Sequence, residues 1–292
     1  MINTKSDSKV LTLADVLMNI RELPSLPSAI NAIIVALKND ALNVNMLAHD
    51  IARDQALAAR VLRVANSPFY GVQHKVASIH DAVVVLGLNA VGSLVTAASL
   101  TGFFKPGTET EFDLNRFWRH SIGVALCSRA LARGAKLDSE SGFSAGLLHD
   151  IGVLLLVTMH PTQYKQVLAW RNQQDCLIPE AEMAIFGFDH TAVGAALSER
   201  WRFPEEIVAA VKYHHHPQGG DQGGDHVTLA DVVHVADAIA HALDLDNEPD
   251  AIVPPIDEGA WQRLNLTEST VVNILEKVEQ EHAGYCSLLA AS

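Results

Sequence analysis

The chain is poor in cysteine and in aromatic side chains. Among its 292 residues are three cysteines, Cys127, Cys176 and Cys286, which are odd in number and widely separated. Neither a disulfide framework nor a thiolate zinc knot is therefore expected, and the default location is the reducing cytoplasm. Aromatic residues make up 6% of the chain against 49% apolar residues. The core is therefore aliphatic, which suits packed helices better than a β-sandwich.

Positive charge is also scarce. The chain carries 21 Lys and Arg residues against 34 Asp and Glu residues, a formal net charge of −13. This excess of negative charge repels nucleic acid, so general nucleic-acid binding is not expected. The first nine residues are polar and lack the apolar region of a signal peptide. No apolar window is judged long enough to cross a bilayer, so no membrane partner is predicted.

Apolar residues repeat at helical spacing throughout the chain, and no convincing strand pattern occurs in the first third. Loss of this periodicity at 103–111 predicts a boundary, which divides the chain into 12–103, 112–245 and 246–292. Within the first part, Asn66 and Ser67 form either a contact patch with Arg60, Arg63 and Tyr70, or a helix end satisfied by side chains. Helix-cap patterns in the second part place Asp113 and Asp189 at helix N-termini.

The stretch from Gly146 to Gly152 places a histidine beside an aspartate, His149 and Asp150, inside an apolar run. Burying an imidazole and a carboxylate costs several kcal/mol, roughly, unless each finds a partner or a metal ion. We expect one helix to carry both residues. Two ligands at adjacent helical positions reach one ion only from the flank of that helix, so other helices must supply the remaining ligands.

Further histidines and acids on other predicted helices and at their ends can complete a site. The set is His120, His149, Asp150, His190, His214, His215 and Asp237. These nitrogen and carboxylate donors, without a thiolate, suit one or two ions of iron, manganese, nickel, cobalt or zinc. The alternative is a site without an ion, in which Asp150 holds His149 and His120 by hydrogen bonds. We interpret His49, His74 and His80 as surface residues and His216, His226, His234 and His241 as bystanders.

The motifs together resemble the HDOD family, the "HD-related output domain" branch of the HD superfamily of metal-dependent phosphohydrolases. The matching segments are LPSLP (23–27), ARDQALAARVLRVANSPFYG (52–71), SIHDAVVVLGLNAV (78–91), LLHDIG (147–152), FGFDHTAVGAALSERWRFP (186–204), YHHHP (213–217) and VVHVADAIAH (232–241). The resemblance covers roughly residues 12 to 245. It implies an all-α fold in which an N-terminal helical bundle, 12–103, packs on an HD-like helical half, 112–245, followed by a C-terminal loop and helix. It also assigns the superfamily's ligand roles to residues of the predicted set, namely His120, His149, Asp150, His190, His214 or His215, and Asp237.

Two departures separate the chain from the related HD-GYP phosphodiesterases. Their HDxGK motif carries a lysine where this chain has Val153, and their GYP loop is replaced here by HHHPQGGDQGGD. The missing lysine removes a cation that would hold a phosphate. Activity on a cyclic dinucleotide is therefore not expected, whereas the two departures leave metal binding open.

The resemblance implies a bacterial signal-transduction module that contacts signalling proteins and has a metal-capable pocket without turnover. The alternative is a metal-dependent phosphohydrolase in which His149 and Asp150 are ligands of the catalytic metal and a metal-activated water attacks the phosphoryl group. Homodimerisation is compatible with either interpretation. The sequence does not assign a role to the C-terminal helix.

Overall fold

Helices form all the regular secondary structure of the residues that the computed structural model describes. These residues are 11–22, 75–86, 112–217, 226–248 and 252–289, with scattered positions between 51 and 104. The helices are α1 (Leu13–Glu22), α2 (Ile79–Leu86), α3 (Leu114–Gly134), α4 (Ser139–Leu148), α5 (Ile151–Met159), α6 (Pro161–Gln174), α7 (Ile178–Phe186), α8 (His190–Arg200), α9 (Glu205–Tyr213), α10 (Leu229–Ala242), α11 (Glu258–Leu264) and α12 (Glu268–Leu289). The expected all-α fold is confirmed.

Side-chain caps fix the starts of the helices that build the site. The Asp113 carboxylate accepts a hydrogen bond from the Arg116 amide at 3.0 Å at the start of α3. Asp189 accepts one from the Thr191 amide at 3.0 Å and so caps α8. Both caps were expected from the sequence. Each satisfies a backbone amide that has no partner inside the helix, which fixes the residue at which the helix begins.

The prediction that one helix carries His149 and Asp150 is wrong. Helix α4 ends at Leu148 and α5 begins at Ile151, so the two residues form the junction between two helices. His149 keeps helical dihedral angles (φ −51°, ψ −41°), whereas Asp150 departs from them (φ −99°, ψ 16°). The two adjacent side chains meet at this break, where His149 Nε2 lies 3.3 Å from Asp150 Oδ2.

The segment that contains α4 and α5 is more apolar than expected. Residues 139–159 reach the length and mean hydropathy, 1.6, of a membrane-spanning helix, contrary to the expectation that no window is long enough. However, 83% of the apolar window within this segment is buried inside the protein. Its side chains therefore form protein core.

Helix α3 lies at the centre of the second half of the chain, where it packs against α4, α10 and α12. The α12 contact includes an ion pair between Arg129 and Glu281, with N–O distance 2.5 Å. His282 Nε2 lies 2.8 Å from the carbonyl oxygen of Arg119, to which it can donate. Helix α12, the helix expected in 246–292, continues to Leu289. Its role, open from sequence, is to cover one face of α3.

The described N-terminal helices agree with the sequence pattern. Helix α1 packs against α8, and its residues Val16 and Ile20 join the same core as Trp201. The other predicted N-terminal helices fall largely outside the described residues, as do His49 and His74, while His80 is exposed. The division into parts ending at 103 and 245 stays a prediction.

Asn66 fits the helix-end interpretation. Its side-chain amide donates to the carbonyl oxygens of Leu62 and Val76, each at 2.7 Å, and its oxygen accepts from the Val76 amide at 2.8 Å. The alternative patch partners Arg60, Arg63 and Tyr70 lie outside the described residues. Asn66 therefore ties a helix end to the segment that precedes α2.

Candidate metal centre

All seven predicted site residues meet in one place. Helix α3 supplies His120, the α4–α5 junction His149 and Asp150, the first residue of α8 His190, the end of α9 His214 and His215, and α10 Asp237. His120 Nε2 lies 3.0 Å from Asp237 Oδ1, and His190 Nε2 lies 3.0 Å from Asp150 Oδ1. Residues far apart in the sequence therefore form a single cluster.

Asp150 connects two groups that could each hold a metal ion. One group consists of His120, His149 and Asp150, and the other of Asp150, His190, His214 and His215. Within each group, one donor atom per residue lies within 4.8 Å of all the others. Asp237 joins the first group, since its Oδ1 lies 3.9 Å from His149 Nε2. A carboxylate shared by two groups could serve as a ligand for two ions.

Three of the imidazole rings are held by their other nitrogen. His149 Nδ1 lies 2.7 Å from the carbonyl oxygen of Gly146, and His214 Nδ1 lies 2.9 Å from that of Val211. His190 Nδ1 lies 2.7 Å from a carboxylate oxygen of Glu182. Each acceptor requires the proton on Nδ1, so a neutral ring directs the lone pair of Nε2 into the cluster. Metal-binding histidines are usually held in this way.

The atoms that face the centre of the cluster are buried and lack hydrogen-bond partners among the described residues. By hydrogen-bond geometry they are Nε2 of His149 and His214 and Oδ1 of Asp150 and Asp237. The two carboxylate oxygens nevertheless form ion pairs, each 3.0 Å from Nε2 of a histidine, His190 and His120 respectively. Buried polar atoms without a partner are rare, because leaving one unsatisfied costs about 1–3 kcal/mol. Lone pairs that face one another at these distances repel unless a proton or a metal cation lies between them. The residues present therefore fit a divalent cation.

The electrostatics of the cluster favour positive charge. Burial alone would raise the pKa of Asp150, but His149 and His190 hold it well below its ordinary value. Burial lowers the pKa of His190, but Glu182 and Asp150 raise it well above 6.5. For His120, the lowering by burial is outweighed by Asp237, which raises the pKa to about 9. Protons on these rings therefore supply the positive charge when no metal is bound.

Sequence reasoning missed Glu182, which lies on α7. Glu182 is fully buried. One of its oxygens accepts from both the backbone amide and Nδ1 of His190, and the other accepts from the Tyr164 hydroxyl at 3.3 Å. Its position one turn beyond the apolar Ile178 could have indicated an inward orientation.

His241 is not the bystander that the sequence suggested. Its ring centroid lies 4.5 Å from that of His120, and its Nε2 lies 3.5 Å from Asp237 Oδ1. With Asp246 and His120 it forms a third group of converging donor atoms. His234 has a structural role, since Nδ1 lies 2.7 Å from the His214 carbonyl oxygen and Nε2 accepts from the Asp257 amide. His216 and His226 are exposed, in agreement with expectation.

A pocket of about 410 Å³ leads to the cluster. Asp150, His190, His215, Asp237 and His241 lie among its lining residues, whereas His149 and His214 are fully buried beneath them. Aromatic and aliphatic side chains form part of the wall, and they include Phe112, Phe117, Tyr164, Leu168, Ile178 and Ile252. Val153, which stands where the HD-GYP enzymes carry lysine, also lines the pocket. A small molecule can therefore reach the candidate ligands.

Among the proteins similar to this chain are two solved structures and one sequence relative. A candidate phosphohydrolase from Shewanella amazonensis SB2B is 28% identical with a TM-score of 0.71, covering 94% of this chain and 97% of that one. A candidate signal transduction protein from Marinobacter aquaeolei VT8 is 23% identical with a TM-score of 0.78, covering 94% of this chain and 61% of that one. An uncharacterised protein from Treponema pallidum (strain Nichols) is 23% identical over 216 residues.

That alignment covers 73% of this chain but 41% of the Treponema protein, so the chain spans less than half of that relative's length. The sequence model of the HDOD domain matches residues 23–217, which is more than half of the chain. The resemblance noted from the motifs is thereby confirmed. The chain belongs to the HDOD family.

Proposed function

We propose that this chain is a metal-dependent phosphohydrolase with its centre at the His/Asp cluster. One observation carries the proposal. The buried Nε2 atoms of His149 and His214 face the carboxylate of Asp150 at 3.3 and 3.5 Å without a hydrogen bond to a described residue, while Nδ1 of His149, His190 and His214 is held by a fixed acceptor. A site that had lost metal binding would have no reason to keep these lone pairs directed at one another. This arrangement therefore supports the phosphohydrolase alternative over a pocket without turnover.

The ligands divide between two ions. His120, His149, Asp150 and Asp237 would hold one ion, and Asp150, His190, His214 and His215 would hold the other. A divalent transition metal bound there lowers the pKa of water and polarises a phosphoryl oxygen. The candidate phosphohydrolase from Shewanella amazonensis, at 28% identity, supports this class of reaction.

The protein itself contributes position and electrostatics. Glu182 holds His190 through Nδ1 and the backbone amide, and Tyr164 in turn donates to Glu182. The ring of His190 therefore cannot rotate without breaking buried hydrogen bonds. The apolar wall formed by Phe117 and Ile178 restricts access of bulk water beside the cluster, which strengthens electrostatic interactions with a bound phosphoryl group.

The test is metal analysis of the purified protein by mass spectrometry, followed by hydrolysis of p-nitrophenyl phosphate and bis-p-nitrophenyl phosphate with added Mn²⁺, Fe²⁺ or Zn²⁺. We expect bound metal, and turnover that His149→Ala abolishes. The matched control is His216→Ala, since His216 is exposed close to the cluster in sequence. A folded protein that takes up no metal and hydrolyses neither ester would overturn the proposal.

A regulatory role remains the second candidate, because the HDOD match begins at residue 23 whereas the first candidate ligand is His120. Residues 23–112 thus belong to the family domain, although none of them is a candidate metal ligand. We propose that the N-terminal part, 12–103, contacts a signalling protein and that the metal centre in 112–245 responds to or produces its signal. Deleting residues 1–103 should abolish capture of that partner, and full retention would count against this role.

A further inference from the structure

A third group of potential metal ligands lies beside the two groups that Asp150 connects. His120 on α3, His241 on α10 and Asp246 after α10 each place one donor atom within 4.8 Å of the other two. All three residues line the pocket. His120 is shared with the first group, whereas His241 and Asp246 belong to neither of the other groups. Two of the three members thus serve no ion of the proposed pair.

The turn that follows α10 brings Asp246 back beside His241. At the end of α10, Asp244 adopts left-handed dihedral angles, with φ 49°. The amides of Asp244 and Leu245 donate to the carbonyl oxygens of His241 and Ala240 at 3.0 Å and 3.2 Å. These bonds satisfy carbonyl groups at the helix end and reverse the chain. The carboxylate of Asp246 is thereby returned to the last turn of the helix that it has just left.

Two contacts hold this turn against α3. Leu245 is buried and packs so closely on Gly123 that a Cβ atom there would lie 2.8 Å from Leu245 Cδ1. The guanidinium group of Arg119 donates to the carbonyl oxygen of Leu245 at 3.1 Å. Arg119 and Gly123 lie next to His120 and one turn after Arg119 on the same helix, so these contacts also fix the position of Asp246 relative to His120.

Each member of the group has a buried polar atom that lacks a hydrogen-bond partner among the described residues. These atoms are Nδ1 of His120, Nδ1 of His241 and Oδ1 of Asp246. Asp246 is only 5% exposed, so bulk water does little to solvate its carboxylate. Burying a carboxylate without a partner is costly. Two imidazoles and one carboxylate around a single point supply the nitrogen and oxygen ligands that divalent transition ions take.

The separation of the donor atoms also suits an ion. Ligands that each lie about 2.1 Å from one ion are up to about 4.2 Å apart. The donor atoms of this group lie within 4.8 Å of one another, so small side-chain rotations close the difference. His120 meets the first group through Nε2, which lies 3.0 Å from Asp237 Oδ1. Its Nδ1 is therefore the nitrogen that remains for the third group.

We infer that His120, His241 and Asp246 form a third metal site, which takes a divalent transition ion such as Zn²⁺ from the pocket. The inference does not depend on the proposed hydrolysis, which assigns two ions at the neighbouring groups. The third site should fill last, because it shares His120 and has three ligands against four in each of the other groups. Since all three residues line the pocket, the remaining coordination positions are open to water or to an anionic oxygen of a bound ligand.

The first experiment is a zinc titration of the full chain after treatment with chelator, with bound Zn²⁺ measured by equilibrium dialysis and mass spectrometry. Asp246→Asn and His241→Gln should each lose one zinc ion per chain, the last to bind, and keep the tighter ones. Circular dichroism checks that both variants remain helical. The matched control is Asp244→Asn, because Asp244 is an exposed acid in the same turn and asparagine tolerates its left-handed conformation.

Equal zinc content at saturation in the wild type, Asp246→Asn and His241→Gln would overturn the inference, and so would the same loss in Asp244→Asn. A second experiment locates the ion. Crystals of the full chain soaked in Zn²⁺ should show an anomalous peak between the three ligands at the zinc edge, and Asp246→Asn should lack it. A wild-type crystal without that peak would also overturn the inference. If neither nitrophenyl ester is hydrolysed, the proposed function fails, whereas the third site is still decided by zinc content and by the anomalous peak.

Discussion

Single buried contacts decide whether the imidazoles of the cluster can serve as ligands. Glu182 shows this most directly, because it is fully buried and holds both the backbone amide and Nδ1 of His190. A carboxylate in that position fixes the tautomer of a neutral ring and raises the basicity of Nε2. Groups that orient a metal ligand in this way typically contribute 10- to 100-fold, in order of magnitude, to metal affinity.

The substitution Glu182→Gln tests whether the charge of this carboxylate strengthens metal binding. Glutamine keeps the shape of the side chain but loses its charge, so we expect metal affinity to fall about 10- to 100-fold while the fold is retained. Metal affinity would be measured by competition with a chromogenic chelator. Glu180→Gln is the matched control, since Glu180 is an exposed acid on the same helix. Equal affinity in wild type and Glu182→Gln would show that this contact is merely structural.

Metal binding should also release protons. The pKa of His120 is raised to about 9 by Asp237, against the opposing effect of burial, and that of His190 is raised well above 6.5 by Glu182 and Asp150. Both rings are therefore protonated at pH 7 without metal, and a ligand must be neutral. Binding should release about two protons, and apparent affinity should rise with pH until about pH 9. Calorimetry in buffers of different ionisation enthalpy measures this release. Affinity that is independent of pH between 7 and 9 would contradict it.

At the scale of secondary-structure elements, the close approach of α5 to α8 positions the site. A Cβ atom on Gly152 would lie 2.0 Å from the carbonyl oxygen of His190 and 2.8 Å from the amide nitrogen of Gly194. Both obstacles are backbone atoms, so neither can rotate away. Glycine at 152 thus lets the helix that follows Asp150 contact the helix that begins with His190.

Gly152→Ala should force these helices apart. Overpacking typically costs about 1–3 kcal/mol, and we expect a loss at or above the upper end because backbone must move. Urea unfolding measures the free energy of unfolding, and metal affinity should fall with it. The control is Gly134→Ala, where the added Cβ meets the flexible end of Leu266 and the change in stability should stay within about 1 kcal/mol. If both variants match wild type, the helix contact is looser than described.

The sequence predicted elements better than it predicted their junctions and contacts. The starts of α3 and α8 were predicted from periodicity and from the caps Asp113 and Asp189. Such caps can be found in the sequence because capping depends on neighbouring residues. The break at His149 and Asp150 was missed, since neither a proline nor a side-chain cap marks it. His241 was dismissed because its partner His120 lies on another helix. Contacts between helices leave no trace in local spacing, so the roles of Glu182 and His241 required coordinates.

For the whole molecule, the cluster links helices that are distant in sequence. Its residues come from α3, the α4–α5 junction, α8, the end of α9 and α10, and α3 itself packs against α4, α10 and α12. An ion held there connects most of the second half of the chain at one point. An unfolded chain cannot bring the same donors together, so binding should stabilise the folded state.

The melting temperature therefore distinguishes a metal centre from the alternative in which Asp150 and the histidines only bond one another. An ion at 100 times its dissociation constant stabilises the folded state by about 2.7 kcal/mol. Adding Mn²⁺ or Zn²⁺ to chelator-treated protein should thus raise the melting temperature by several degrees in scanning calorimetry.

Asp150→Asn should remove this rise, because Asp150 belongs to both ligand groups. The Asp150→Asn variant also loses the pairing with His190, so it is less stable before metal is added. The quantity to compare is therefore the rise in melting temperature that metal causes in each protein. An ion-free cluster would give no increment in either protein, and that result would exclude the metal centre together with the hydrolysis proposed for it.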